Sequence, residues 1–113
     1  MHVQVVNFNL KDMTDPEFRA MANEVAPAFA SVPGLLSKIW LADAGKNTYG
    51  GVYIWRDAAA MRAYLASDLC KGVTGNPNFA NLTSSDFEVL SGPTGGSGGR
   101  VAAALSATAG LAF

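Results

Sequence analysis

The sequence predicts an α+β fold, a ferredoxin-like βαββαβ sandwich in which a four-stranded antiparallel sheet carries two helices on one face. Alternating apolar residues predict four strands, and apolar residues at helical spacing predict two helices. The order along the chain is strand, helix, strand, strand, helix, strand, which is the split βαβ pattern of this class. Because both crossovers are expected to be right-handed, the two helices are placed on the same side of the sheet.

The first strand and the first helix follow from local patterns. Residues 3–10 alternate in a way that leaves both faces of the strand partly apolar. The helix is expected to begin at Thr14, because Thr14 and Glu17 have the spacing of a capping box, and to stop before Pro33 and Gly34. Its apolar residues form one stripe, which is predicted to be core: Phe18, Met21, Ala22, Val25 and Phe29.

Strands 2 and 3 are predicted to form a hairpin that leads directly into the second helix. Residues 35–41 and 48–55 have strand patterns, and residues 43–47 supply the turn between them. Asp57 is expected to be the N-cap of the second helix. The buried side of that helix is predicted at Met61, Tyr64, Leu65 and Leu69.

The second helix is expected to close at residues 71–72, where a lysine is followed by a glycine. Residues 75–81 contain an Asn-Pro pair and are predicted to be a loop, with Phe79 anchored in the core. Residues 83–90 are predicted to be a fourth, shorter strand.

The residue pattern of the third strand predicts that the chain binds a partner molecule. In TYGGVYIW the side chains of Tyr49, Tyr53 and Trp55 share one face, while Val52 and Ile54 line the other. Neither face is polar, so whichever one faces away from the helices needs a cover. A second copy of the chain is the simplest cover, since a C2 interface lets an apolar sheet face bury its own equivalent. We therefore expect a homodimer with sheets packed face to face.

Composition divides the chain into a folded domain, residues 1–90, and a Gly-rich linker with an apolar C-terminal tail, residues 91–113. The tail is too short for the ~20 apolar residues that a membrane-spanning helix needs, so no membrane anchor is expected. The sequence leaves open whether the tail docks as a helix or strand or is disordered.

Several classes of function are disfavoured by the composition. A net charge of −1 with scattered basic residues gives no footprint for nucleic acid. One histidine and one cysteine are too few for a zinc site, and the glycine run lacks the ending of a phosphate-binding loop. The single Cys70 and the absence of an export pattern at the N-terminus predict a cytoplasmic protein.

Two stretches match a known family. Residues 50–65 carry Gly-Gly-Val-Tyr, an aromatic at Trp55, the capping Asp57 and three matching helix positions, and residues 33–41 (PGLLSKIWL) look like that family's second strand. On these residues the sequence resembles, over residues 3–90, the YdhR family, whose members are described as monooxygenases and are relatives of the antibiotic-biosynthesis monooxygenases with a dimeric α+β barrel fold. The matching helix positions are Ala60, Tyr64 and Leu65.

The resemblance implies oxygen insertion into an electron-rich aromatic or polycyclic small molecule without flavin, haem or metal. A substrate deprotonated to a phenolate or carbanion can itself pass an electron to dioxygen, so the protein need only bind, orient and deprotonate it. No cofactor is therefore expected. Haem-degrading members of the wider fold group use a histidine in the second half of the domain, and the absence of any histidine after His2 argues against haem.

An aromatic substrate calls for a pocket of aromatic side chains with a few hydrogen-bonding groups. The candidates with a catalytic role are Asn7, Tyr53, Trp55 and Tyr64, and the candidates for substrate binding are Phe29, Trp40 and Phe79.

The general base and the activity itself stay open on sequence alone. A tyrosine, His2 or Asp86 could accept the proton, and only geometry decides among them. The alternative to an enzyme is a non-catalytic dimeric protein on the same scaffold, which binds a small ligand or has a structural role and in which the aromatic residues serve the core and the interface.

Overall fold

The computed structural model describes residues 1–99 and confirms the predicted ferredoxin-like α+β fold. A four-stranded antiparallel sheet has the strand order β2-β3-β1-β4, so the two edges are β2 and β4. The elements are β1 (His2–Leu10), α1 (Asp15–Ala30), β2 (Leu35–Asp43), a 3₁₀ turn (Ala44–Lys46), β3 (Thr48–Trp55), α2 (Ala58–Leu65), α3 (Asp68–Thr74), β4 (Phe79–Glu88) and α4 (Ser91–Gly96).

Helix α1 begins where its capping box predicts. The Glu17 amide donates to Thr14 Oγ1 at 3.2 Å, and the Thr14 amide donates to Glu17 Oε1 at 2.8 Å. Phe18 and Phe29 are buried, and the residues between them on the same stripe pack partly buried against the same core. The predicted stripe is therefore confirmed as the face of α1 that covers the sheet.

The structure shows which face of β3 lies under the helices, a point that the sequence left open. Tyr49, Tyr53 and Trp55 point toward the helices and are 2%, 3% and 0% exposed. They form one core with Val6 and Phe8 of β1 and with side chains of α1, α2 and α3. The aromatic face of the third strand therefore lies under the helices, and the Val52 face points away from them.

The opposite face of the sheet carries a group of apolar side chains, and its one charged side chain among the described residues of the four strands is Asp43, at the end of β2. Cross-strand pairing places Val3 beside Phe87 and Ile39 beside Val52 on this outer face. Ile39 is 48% and Phe87 is 57% exposed within a single chain. Exposed apolar side chains grouped on a sheet face are common where proteins bind a partner.

The predicted second helix is wrong in one respect, because it is two helices. Helix α2 ends at Leu65, and Ser67 caps a new helix α3 by accepting from the Cys70 amide at 3.2 Å. The chain changes direction at this cap, so Leu65 is 43% exposed rather than buried as predicted. A serine that offers its hydroxyl to the backbone is a common reason for such a break.

The fourth strand also differs from its prediction, since it begins at Phe79 rather than at residue 83. Phe79 and Ala80 already pair with β1, and the pairing then shifts at a bulge near Asn81, which has φ 55°. A bulge interrupts the alternation on which strand prediction depends. Phe79 does anchor in the core as predicted, with its ring stacked 4.2 Å from that of Phe8.

The C-terminal part departs from the predicted linker over residues 91–96, which form the short helix α4. The predicted apolar tail lies beyond residue 99 and so outside the described residues. Within residues 1–99, each helix is too short or too polar to cross a lipid bilayer.

Gly50 is required by the close approach of β1 and β3. A Cβ at this position would lie 1.8 Å from the Val6 carbonyl oxygen, and the φ of Gly50 is 157°. We expect Gly50→Ala to lower the free energy of unfolding by about 3 kcal/mol, because either the strands separate or the backbone is strained. Urea unfolding measures the change.

The matched control for this substitution is Gly72→Ala in α3, where an added Cβ meets nothing within 4 Å. This change should raise stability by about 0.5–1 kcal/mol, since alanine is the better helix former. Equal stabilities for Gly50→Ala and the unsubstituted protein would contradict the strand geometry described here.

Candidate active site

A small cavity, here called the inner cavity, lies between the helices and the middle of the sheet. Its volume is about 40 Å³, and its wall is apolar apart from two titratable side chains, Lys38 and Tyr53. An apolar cavity of this size has room for about one water-sized molecule. Phe29, Trp40 and Phe79, the predicted substrate-binding residues, all line it together with Tyr53.

Two open grooves run between α1 and the edge strand β2, outside the inner cavity. The first groove has a volume of about 400 Å³ and includes Phe18, Arg19 and Leu41 in its wall. The second groove has a volume of about 310 Å³ and includes Phe29, Lys38 and Trp40. Because Phe29, Lys38 and Trp40 also line the inner cavity, these three side chains form the boundary between it and the second groove.

The aromatic rings at this boundary belong to one contact network. The Phe29 ring lies 5.5 Å from the Trp40 ring in an edge-to-face arrangement and 6.3 Å from the Tyr53 ring. Tyr53 lies 5.8 Å from Tyr64, which in turn lies 5.3 Å from Trp55. Edge-to-face and offset contacts at these separations are favourable and hold the rings in fixed orientations.

Trp55 and Tyr64 lie one layer behind the cavity wall. Trp55 is fully buried and donates from Nε1 to Gln4 Oε1 at 3.0 Å, while Gln4 Nε2 donates to Ser84 Oγ at 2.9 Å. Tyr64 is buried and lines a separate groove on the far side of α1. Both predicted catalytic residues therefore contact the network around Tyr53, but neither lines the inner cavity.

Asn7 is not brought together with the other candidates. Gln4, Val6 and Phe8 of β1 point toward the helices, so the alternation of the strand places Asn7 on the outer face. Two of the candidate bases, His2 and Asp86, are also remote from the cavity. His2 Nε2 lies 2.6 Å from Asp86 Oδ2 near the end of the sheet. Neither residue lines the inner cavity or the two grooves.

The two tyrosines of the network are neutral at physiological pH. Burial raises the pKa of Tyr53. Burial also raises the pKa of Tyr64, and the nearby Tyr53 phenol raises it further. A phenol with a raised pKa can donate a hydrogen bond but is a poor proton acceptor.

Lys38 is the functional candidate that sequence reasoning missed. Its Nζ lies 3.3 Å from the centroid of the Phe29 ring and 3.6 Å from that of Trp40. Burial lowers the pKa of the Lys38 ammonium to about 7, with no contribution from a neighbouring charge. A signal was present in the sequence, because Lys38 stands two residues before Trp40 on a strand and so shares its face.

The fold defines a class, small ferredoxin-like α+β proteins, and several solved structures share this fold. SnoaB from Streptomyces nogalater, a cofactor-independent oxygenase, is 24% identical, covers 78% of this chain and 92% of its own, and has a TM-score of 0.62. MhuD from Mycobacterium tuberculosis, a haem degrader with two haems in its active site, is 22% identical over 80% of this chain and 96% of its own, with a TM-score of 0.65. NE2512 from Nitrosomonas europaea, of unknown function, is 16% identical over 79% and 88%, with a TM-score of 0.67.

The family itself is shown by the sequence. The family model described as "Putative mono-oxygenase ydhR" matches residues 3–97, most of the chain, so the chain belongs to the ydhR family. No curated protein sequence matches it. The match extends seven residues further than the resemblance over residues 3–90 and includes helix α4.

The residues of this chain do not fit a haem. Its one histidine, His2, is paired with Asp86 and lies away from the inner cavity. The inner cavity of about 40 Å³ is far smaller than the 300 Å³ or more of ordinary ligand pockets, and the described walls of the two larger grooves contain no histidine or cysteine. Among residues 1–99, no three His, Cys, Asp or Glu side chains are grouped to hold a metal ion.

Proposed function

We propose that this protein is a monooxygenase that acts without a bound cofactor on an aromatic or polycyclic small molecule bearing an acidic proton. The observation that carries the proposal is membership of the ydhR family. It is supported by the inner cavity, in which aromatic walls surround one amine and one phenol. The likeness in fold to SnoaB agrees with this proposal.

The organic substrate is assigned to the second groove and dioxygen to the inner cavity. The groove has a volume of about 310 Å³, which is at the lower end of the ligand-pocket scale. The inner cavity is apolar and small, as suits a diatomic gas, since dry apolar cavities take up apolar molecules of matching size. Phe29, Lys38 and Trp40 lie between the two spaces, so the reacting carbon is placed at these residues.

The reaction balances without an added reductant. For a ring methylene activated by a neighbouring phenol, R₂CH₂ + O₂ gives R₂C=O + H₂O. Loss of one proton gives the anion, which forms a C–O bond with dioxygen. Breaking the O–O bond and the second C–H bond leaves the ketone, and the departing oxygen takes up two protons to become water. The protein holds the ring, excludes bulk water and moves protons.

We also infer that the protein acts as a homodimer through the outer face of the sheet. This face presents Ile39, Val52 and Phe87, and its one charged residue among the described strand residues, Asp43, lies at the end of β2, so a second apolar face suits it better than a charged partner. A two-fold axis makes an apolar face complementary to its own copy. This dimer would leave the grooves beside α1 on the opposite side of each sheet.

The proposed function is tested by dioxygen uptake. Metal-free protein is mixed with a panel of anthrones and hydroquinones, and oxygen consumption is compared with the ketone or quinone formed. We expect dioxygen uptake above the uncatalysed rate, with one O₂ molecule consumed for each molecule of ketone made from an anthrone. Rates equal to those without protein for every compound would count against an enzyme.

One observation favours the alternative, a non-catalytic protein. The inner cavity of about 40 Å³ cannot enclose an aromatic ring. A protein that binds its ligand only in the outer grooves would give a saturable binding signal with the same compounds and no dioxygen uptake. The two measurements together therefore separate the enzyme from a ligand-binding protein.

A further inference from the structure

Lys38 occupies an unusual position for a lysine. It extends from the edge strand β2, yet its Nζ lies against three aromatic rings, at 3.3 Å from the Phe29 centroid, 3.6 Å from Trp40 and 4.6 Å from Tyr53. Within residues 1–99, its side chain makes no ion pair with a carboxylate. Lysines usually keep the ammonium in water, so the loss of hydration at this position calls for a functional reason.

Burial of Nζ favours the free amine, while the ring faces of Phe29 and Trp40 attract the ammonium. Tyr53, on β3, is the other titratable side chain that lines the inner cavity, and it is neutral. Helix α1 presents Phe29 to the amine, and Arg19, the charged residue of α1 found in a groove wall, lines the first groove rather than the second. Burial lowers the pKa of Lys38 to about 7. At neutral pH a large fraction of Lys38 therefore carries a lone pair that can accept a proton.

The other candidate bases are unsuitable. Tyr53 and Tyr64 are phenols with raised pKa values, so few of them are ionised at neutral pH. His2 and Asp86 are bonded to each other and do not line the cavity or the second groove. Lys38 is the described side chain that combines a basic atom with a place on the boundary between the two spaces.

We propose that Lys38 Nζ is the proton acceptor that ionises the substrate, and that the second groove selects aromatic ligands whose ring carries an acidic hydroxyl group. This inference rests on the proposed oxygenase function for its role in turnover. The substrate O–H bond breaks, an N–H bond forms on Nζ, and a phenolate remains beside the new ammonium. The faces of Phe29 and Trp40 stabilise the ammonium, and the ammonium stabilises the phenolate. Nζ then returns the proton to the oxygen that leaves as water.

The ionising step can be measured without oxygen chemistry. The probe is 4-nitrophenol, whose ionised form absorbs visible light, titrated under nitrogen with the full-length protein. Binding to the unsubstituted protein should raise the apparent acid dissociation constant of the probe by about tenfold or more, so that the pKa of the probe falls in favour of the phenolate. Lys38→Met, which keeps the length of the side chain without the amine, should bind the probe with no such change. No change with the unsubstituted protein, or the same change with Lys38→Met, overturns the proposal.

Measurements of dioxygen uptake distinguish a proton acceptor at position 38 from a fixed positive charge there. Lys38→Arg keeps the charge but cannot accept a proton, so it should still favour the bound phenolate while dioxygen uptake falls about 100-fold. Uptake by the unsubstituted protein should rise with pH through about 7, as a base with the pKa of Lys38 requires. Lys46→Met, in the exposed 3₁₀ turn, is the control and should leave both measurements unchanged.

The outcomes distinguish this inference from the proposed function. Full dioxygen uptake by Lys38→Arg would overturn Lys38 as the proton acceptor while leaving the oxygenase intact. Probe ionisation that depends on Lys38, without uptake for any substrate, would uphold the phenol-ionising site and reject the oxygenase.

Discussion

Replacing Trp55 with alanine is expected to lower the free energy of unfolding by about 4 kcal/mol, because the change empties the largest fully buried position of the core. The indole packs against Tyr53 at 6.0 Å and Tyr64 at 5.3 Å between centroids. It also donates to Gln4 Oε1, so its loss leaves a buried carbonyl oxygen without that partner. Urea or thermal unfolding measures the loss.

Trp55→Phe separates the packing from the hydrogen bond. This substitution keeps a ring but removes the indole N–H, and it should cost about 2 kcal/mol. Adding Gln4→Met to Trp55→Phe should recover part of that cost, since no buried acceptor is then left without its donor. A cost below ~1 kcal/mol for Trp55→Ala would contradict the buried, hydrogen-bonded indole described here.

Placing a charge on the outer face of the sheet is expected to convert the proposed dimer into a monomer. Val52→Glu puts a carboxylate between apolar residues of β1 and β2, where a face-to-face dimer would bury it without a partner. The dimer dissociation constant should rise by about 1000-fold, which corresponds to about 4 kcal/mol. Light scattering at micromolar protein concentration measures the mass.

Ala20→Glu is the matched control for this prediction, because Ala20 is an exposed residue of α1 and lies on the other side of the molecule. This variant should remain dimeric. A monomer for the unsubstituted protein at micromolar concentration, or an unchanged dimer for Val52→Glu, would contradict the proposed interface.

Local rules were enough to predict most of the fold. Alternation located β1, β2 and β3, and the capping pair Thr14 and Glu17 located the start of α1. The errors fall where a single residue changes the local geometry. Ser67 caps a new helix inside the predicted second one, and Asn81 forms a bulge that hides the start of β4.

The site was harder to predict because it depends on cross-strand register. Pairing of Gln4 with Tyr53 places Gln4, Val6 and Phe8 on the aromatic side of β3, and this excludes Asn7. The residue pattern of one strand does not show which of its faces lies beside the aromatic face of β3. The aromatic members of the wall were found because a large aromatic residue indicates a buried face, whereas Lys38 was passed over because a lysine on a strand usually lies in water. Dimerisation and a cytoplasmic location stay predictions.

A crystal structure of the protein soaked without oxygen in a hydroxyl-bearing anthrone or naphthol shows whether the substrate lies in the second groove with its reactive edge at Lys38. We expect electron density for the ring between α1 and β2, with the ring oxygen about 3 Å from Lys38 Nζ. A well-occupied ligand bound elsewhere, with Phe29, Lys38 and Trp40 still closed around an unfilled groove, would contradict this placement.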